Sequence, residues 1–283
     1  MPTLRQITSD LSTALQAIYP PAEADSMAGL LLEHVLGLSP LQRRMNANEP
    51  VSEQVLEHLP QLQARLLTHE PLQYVLGTAH FAGLELEVTP ATLIPRPETE
   101  ELVAMILREQ QGRSGLRILD IGTGSGCIPI ALGLGLSGSC LTAVDISTEA
   151  LAVARRNAVT YAVPIHFQQV DILTAEPHLP APLDVLVSNP PYVLEEERLQ
   201  MRPNVLQFEP ATALFVPNHD PLLFYRRIAA LGQQWLREGG ALYFEINEQY
   251  AVATADMLRQ LGYTQVEVHA DIFGKDRMAR ATR

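Results

Sequence analysis

Lysine is almost missing from this chain: Lys275 stands alone, and every other basic residue is an arginine. With 20 basic against 32 acidic residues, the formal charge is −12. Proteins that grip nucleic acid concentrate positive charge on one face to release counterions. Here the doublets Arg43-Arg44, Arg155-Arg156 and Arg226-Arg227 lie far apart in an acidic background, so no direct nucleic-acid partner is expected. Cysteine is scarce too. Cys127 and Cys140 follow no CxxC or Cys/His spacing, so no metal site is expected and both read as small buried hydrophobes. No stretch approaches the ~20 apolar residues of a membrane span, and the opening MPTLRQITSDLSTAL lacks the apolar run of a signal peptide. A cytoplasmic protein without membrane contact is expected.

What the chain does have is core material: 47% of its 283 residues are hydrophobic and 18% are charged, which suits two domains or one large one. Residues 1–75 read as a small helical domain. Ser39-Pro40-Leu41-Gln42 has the form of a capping box with proline at the first helical position. Val55, Leu59, Leu62 and Leu66 recur at helical spacing, and Pro60 within that stripe predicts either two short helices or a kinked one. Residues 76–95 change character. Leu84, Leu86 and Val88 alternate with Glu85 and Glu87, predicting a β-hairpin linker.

From residue 96 to 283, apolar runs at 117–121, 141–144, 165–170, 185–187 and 241–246 are separated by helical stretches, notably 148–161 and 222–236. This alternation predicts an α/β fold, a doubly wound and mostly parallel sheet with helices on both faces. The tail, 265–269 and 277–282 around Phe273-Gly274-Lys275, predicts a terminal antiparallel hairpin.

Two turns on this sheet carry chemistry. The first is Asp120-Ile121-Gly122-Thr123-Gly124-Ser125-Gly126, a glycine-rich turn after the first strand of the sheet. Its glycines allow a sharp turn and close approach of a ligand. The spacing is GxGxG rather than GxGxxG, and no GK[ST] follows, which excludes a phosphate-cradling P-loop. Asp145, about 20 residues on at the next strand end, suits a grip on ribose hydroxyls. Asp171 ends the third run at the same sheet edge, completing a nucleoside pocket. On these residues alone, NAD remains a competing ligand.

The second turn is Ser188-Asn189-Pro190-Pro191-Tyr192, at the end of the fourth run. An amide or aryl-amine nitrogen is a poor nucleophile because its lone pair is delocalised. Two acceptors on its N–H groups can hold it in line with a methyl sulfonium. The Asn189 side-chain oxygen can be one acceptor and the Pro190 carbonyl the other, while Tyr192 offers a flat face for stacking. Catalysis of this kind is mainly positioning. No general base is apparent.

These residues together resemble the class I methyltransferases, and more narrowly the release factor glutamine methyltransferase family. The resemblance is carried by Glu70-Pro-Leu-Gln-Tyr-Val-Leu-Gly77, Phe81-Ala-Gly-Leu84, Leu93-Ile-Pro-Arg-Pro-Glu-Thr-Glu100, both turns, Phe208-Glu-Pro-Ala-Thr-Ala-Leu214 and Gly274-Lys-Asp-Arg277. It implies methyl transfer from S-adenosylmethionine to the glutamine side-chain nitrogen in the Gly-Gly-Gln motif of peptide chain release factors. It further implies that Gly122, Thr123, Gly124, Ser125 and Gly126 line the cofactor's methionine part, that Asp145 holds its ribose, and that Asp171 and Ile172 border its adenine. Asn189, Pro190, Pro191 and Tyr192 would take the glutamine, with Arg96 and Glu98 at the mouth. The helical domain would dock the factor.

Two positions depart from the family pattern. Ile172 stands where an aromatic is usual, so aliphatic contact is expected to replace stacking. Asn247, in Glu245-Ile-Asn247, stands where glycine is usual, with a structural effect expected away from the transfer residues. Arg96 has an alternative use, a salt bridge to Glu98 or Glu100. The rival readings are an adenine-N6 nucleic-acid methyltransferase, a ribosomal-protein glutamine methyltransferase, and a binding module that has lost activity.

Overall fold

Helices fill the first stretch of chain because apolar residues recur there every three to four positions. The computed structural model describes residues 1–179 and 181–283. In it, α1 (Leu4–Leu15), α2 (Pro21–Leu36), α3 (Pro40–Met45), α4 (Glu53–Leu67) and α5 (Leu72–Leu76) follow in succession. Leu4, Ile7, Leu11 and Leu15 form one stripe of α1 and bury against Leu31, Leu32, Leu59 and Leu66. Ser39 caps α3 as expected: its hydroxyl accepts from the Gln42 backbone N–H at 3.3 Å, and the Gln42 side-chain Oε1 accepts from the Ser39 N–H at 2.8 Å. Pro60 does not divide α4, which runs as one helix with the proline inside it. The buried Leu59 and Leu66 on either side hold the helix through the missing hydrogen bond. The helical unit comprises Met1–Gly77 and, from later in the chain, Arg202–Phe208.

The second unit comprises Thr78–Met201 and Glu209–Arg283. Its elements begin with a hairpin, β1 (Thr78–Phe81) and β2 (Leu84–Glu87), followed by α6 (Pro97–Glu109), β3 (Arg117–Ile121), α7 (Cys127–Gly135), β4 (Cys140–Asp145), α8 (Thr148–Thr160), β5 (Ile165–Gln169) and β6 (Leu183–Ser188). The short β7 (Val193–Leu194), α10 (Ala211–Leu214) and β8 (Phe215–Val216) come next; α9 (Pro203–Phe208), between β7 and α10 in the chain, belongs to the helical unit. The chain closes with α11 (Leu223–Trp235), β9 (Leu236–Glu245), α12 (Ala251–Gln260), β10 (Thr264–Ala270) and β11 (Asp276–Thr282).

Seven strands form one sheet in the order β10-β11-β9-β6-β3-β4-β5. The pairs among β9, β6, β3, β4 and β5 are parallel, whereas β11 is antiparallel to both β9 and β10. The period of two divides the strands between two cores. Ile118, Val185, Val187 and Tyr243 pack under α6 and α7, while Leu119, Leu186, Leu242 and Phe244 pack under α11 and α12. Each such side chain, fully buried, contributes roughly 1.5–3 kcal/mol. Cys127 joins the first core, but Cys140 is exposed, contrary to expectation, because it opens β4 at the sheet's rim.

The hairpin is bound into this unit rather than strung as a linker. The Tyr161 hydroxyl accepts from the Glu85 N–H at 2.7 Å, Arg156 pairs with Glu87 at 2.6 Å, and Asn157 bonds the Glu87 backbone at both N–H and carbonyl. Among the described residues, no helix is long and apolar enough to cross a membrane.

Candidate active site

Sheet order sets the location of the site. From β3 the chain winds outward through β4 to β5, then returns to β6 on the other side of β3. The crevice at the carboxyl ends of β3 and β6 is the switch point of the sheet, where open α/β folds bind ligands. A cavity of about 350 Å³ opens there. Its walls include Gly122, Thr123, Gly124 and Ser125 after β3, Asp145 at the end of β4, Asp171 and Ile172 after β5, and Asn189, Pro190 and Pro191 after β6. Arg96 and Thr99, from the start of α6, complete the ring. A depression of about 400 Å³ on the helical unit, lined by Arg5, Arg43 and Arg44 among others, holds none of the buried unpartnered polar atoms that mark the sheet-edge cavity.

The glycine loop is shaped by its neighbours. Gly122, Gly124 and Gly126 all have positive φ. Gly126 does not line the cavity as expected. A β-carbon there would sit 3.2 Å from the Ala154 methyl, so its bare α-carbon lets α8 pack against the start of α7. The Asp145 carboxylate braces the loop from below, accepting from the Gly124 N–H at 2.8 Å and from the Ser147 N–H at 3.0 Å. Burial pushes its pKa up, against the pull of those backbone bonds. Asn157 holds the loop from the other side, donating to the Ser125 carbonyl at 2.9 Å. Asp171 accepts from the Leu173 N–H and the Thr174 hydroxyl, fixing the turn after β5.

Several polar groups beside the loop are buried without a good hydrogen bond among the described residues: both Asp120 oxygens and the Thr123 and Ser125 hydroxyls. Burial raises the Asp120 pKa to about 7; the neighbouring Thr123 hydroxyl pulls it down and Asp145 pushes it further up. Unpaired buried polar groups cost on the order of 1–3 kcal/mol each. Their presence beside a cavity fits a polar ligand that would satisfy them.

Around the Asn-Pro-Pro-Tyr turn the geometry differs from the sequence reading at Tyr192, Glu98 and Asn247, and in the partner of Arg96. The Asn189 amide nitrogen donates to the Thr99 hydroxyl at 3.1 Å, and Asn189 lines the cavity as expected. Tyr192 does not. Its ring packs into the core under α11, and its hydroxyl donates to the buried Glu245 carboxylate at 2.9 Å. The aromatic side chains that line the cavity are Phe215 and Phe224, which carry no motif in the sequence. Glu98 is also absent from the lining; the neighbouring Thr99 takes that place because α6 turns Glu98 away.

Arg96 lies at the cavity, but its partner is neither Glu98 nor Glu100. It pairs with Glu209 at 2.5 Å, and Glu209 also accepts from the Ile94 N–H at 3.1 Å. That pair joins segments 113 residues apart, which no local spacing reveals. Asn247 does touch the Asn-Pro-Pro-Tyr turn: its amide donates to the Tyr192 carbonyl at 3.2 Å, and its side-chain oxygen accepts from the Gln249 N–H at 3.0 Å. Glycine could make neither bond. Ile172 is buried and lines the cavity.

Comparison with known proteins follows the same division. The family model described as PrmC N-terminal domain matches residues 4–77, and the one described as methyltransferase small domain matches residues 99–207. The release factor glutamine methyltransferase of Bacteroides thetaiotaomicron is 44% identical over 99% of this chain and 100% of its own length. That of Flavobacterium psychrophilum is 40% identical over 94% of each. A methyltransferase crystal structure from Pyrococcus furiosus, 19% identical, superposes with a TM-score of 0.51 over 78% of this chain and 97% of its own, and shares the fold. With its glycine loop and its Asn-Pro-Pro-Tyr turn meeting at one switch point, this chain belongs to the release factor glutamine methyltransferase family.

Proposed function

We propose that this protein transfers the methyl group of S-adenosylmethionine to the side-chain N5 of the glutamine in the Gly-Gly-Gln motif of peptide chain release factors. The observation that carries the reading is the Asn189 amide: its nitrogen is tied to Thr99 while the residue lines the cavity beside the glycine loop. A side chain held this way offers its oxygen as an acceptor for the N–H of a planar amide.

The residues present fit the cofactor. Thr123 and Ser125 bring buried hydroxyls without a good hydrogen bond to the loop, with the Asp120 carboxyl behind them, for the polar methionine end. Asp145 keeps lone pairs beyond its two backbone bonds for ribose hydroxyls, and Ile146, Ile172 and Leu173 offer apolar wall for adenine. When bound, S-adenosylmethionine supplies a methyl carbon on a positively charged sulfur, which needs no acid to leave.

The protein's own work is to bind and orient. Asn189 Oδ1 and the Pro190 carbonyl accept from the two N–H groups of the glutamine amide, turning the nitrogen lone pair out of conjugation. Pro190 and Pro191 keep that turn stiff. Phe215 and Phe224 shelter the site from water, and one amide proton passes through its acceptor to solvent after transfer. Arg96, fixed by Glu209, holds the mouth of the cavity. The helical unit docks the release factor in the cytoplasm, and the net charge of −12 accords with a protein rather than a nucleic acid as direct partner.

Incubation with methyl-labelled cofactor and a class I release factor tests the reading. Label on the Gly-Gly-Gln glutamine, absent when that residue is alanine, is the expected result. Label on a ribosomal protein or on adenine instead would overturn it.

A further inference from the structure

The Asn189 orientation has a cause deeper in the fold. Glu245, at the end of β9, is 1% exposed, and Thr99 on α6 is 3% exposed. The Thr99 hydroxyl donates to Glu245 Oε2 at 2.6 Å, the Tyr192 hydroxyl donates to Oε1 at 2.9 Å, and the Asn189 amide nitrogen donates to Thr99 Oγ1 at 3.1 Å. We infer that Glu245 is a positioning residue that acts through Thr99 to fix which end of the Asn189 amide faces the cavity.

The reasoning is a count of donors and acceptors. An ionised carboxylate only accepts. The single Thr99 proton therefore goes to Glu245, and Thr99 Oγ1 is left as an acceptor alone. An acceptor at that place selects the NH₂ end of Asn189, which turns the carbonyl end toward the cavity. If Glu245 takes up a proton, the polarity reverses along the chain. Glu245 then donates to Thr99 Oγ1, the Thr99 proton is free to point at Asn189, and the amide turns its oxygen inward. The NH₂ end now meets the N–H groups of the substrate amide, where donor faces donor. Methyl transfer is blocked without any change in backbone.

Several groups bear on this carboxylate. Glu98 from α6 opposes its ionisation and Arg277 from β11 favours it. Tyr225 on α11 and Cys127 on α7 sense its charge as well, and the hydrogen bonds from Thr99 and Tyr192 hold it ionised. Burial is the largest influence and raises its pKa.

This inference rests on the proposed transfer to glutamine, so wild-type methylation of the release factor is established first, at saturating cofactor. Thr99→Val removes the hydroxyl at equal size. It is expected to lower kcat by about tenfold to a hundredfold, with cofactor affinity by calorimetry little changed. Thr99→Ser restores the hydroxyl and is expected to restore most of kcat. The second readout is pH: wild-type kcat falls on the acid side with a single-proton slope, and Glu245→Gln, which cannot titrate, loses that limb. Asp120 and Asp145 flank the cofactor loop, so their titration appears in cofactor KM instead. An active wild type in which Thr99→Val keeps full kcat, or in which Glu245→Gln keeps the acid limb at the same midpoint, overturns the inference. Absence of any glutamine methylation by the wild type overturns the proposed function instead.

Discussion

Replacing Asn157 offers the sharpest check on how the glycine loop is held. This residue is 3% exposed and makes three hydrogen bonds: Nδ2 donates to the Ser125 carbonyl at 2.9 Å and the Glu87 carbonyl at 3.0 Å, and Oδ1 accepts from the Glu87 N–H at 2.8 Å. Asn157→Ala leaves the buried Ser125 carbonyl unpaired, at a cost of about 1–3 kcal/mol. The two Glu87 groups are partly exposed and regain water, adding roughly 0.5 kcal/mol each. The total is about 2–4 kcal/mol. Asn157→Asp keeps the bond to the Glu87 N–H but sets a carboxylate against two carbonyl oxygens, so it is expected to cost on the order of 1–3 kcal/mol more than alanine at pH 7. That extra cost shrinks as the pH falls and the new carboxyl is protonated. The protein has one tryptophan, Trp235 on α11, in the same unit as Asn157, so its fluorescence in a urea titration reports this unit's unfolding. An alanine variant within about 0.5 kcal/mol of wild type, or an aspartate variant more stable than alanine at pH 7, would refute the reasoning.

Three further outcomes are expected. Asn189→Ala should lower methyl transfer at least about a hundredfold with cofactor affinity nearly unchanged, measured by turnover beside calorimetry. Asp145→Ala should weaken cofactor binding about tenfold to a hundredfold, since it removes a charged acceptor and frees the Gly124 N–H; a wild-type dissociation constant would dismiss the ribose role. Asp120 has a folded pKa raised to about 7 above its ordinary 3.8. Its contribution to stability is therefore full below pH 4 and is lost as the pH rises through 7, with a slope approaching about 1.4 kcal/mol per pH unit. Asp120→Asn should flatten that decline in cofactor-free protein, and identical pH–stability curves for both would contradict it.

Much of the architecture is legible in the chain because it is written in local periodicity. The strands around Ile118, Leu141, Val185 and Leu242 declare themselves by apolar runs, and the helix at Thr148–Thr160 by its spacing. The two functional turns are legible for a related reason: glycine and proline restrict the backbone by themselves, so Gly122, Gly124, Asn189 and Pro190 mark their turns wherever they fall. Pro60 shows the limit of that logic, since neighbouring core contacts carry one helix through it.

The sequence by itself determined the class of fold and the edge of the sheet at which the glycine loop and the Asn-Pro-Pro-Tyr turn meet. Tertiary structure alone decided which side chains reach the cavity. Tyr192 turns into the core, where its hydroxyl meets the buried Glu245, and Thr99 and Phe224 face the site because α6 and α11 begin beside it. The partners Arg96–Glu209, Thr99–Glu245 and Asn157–Glu87 are separated by 113, 146 and 70 residues. A hydrogen bond depends on ångström distances in space, and over such separations only the packing of the whole sheet sets them.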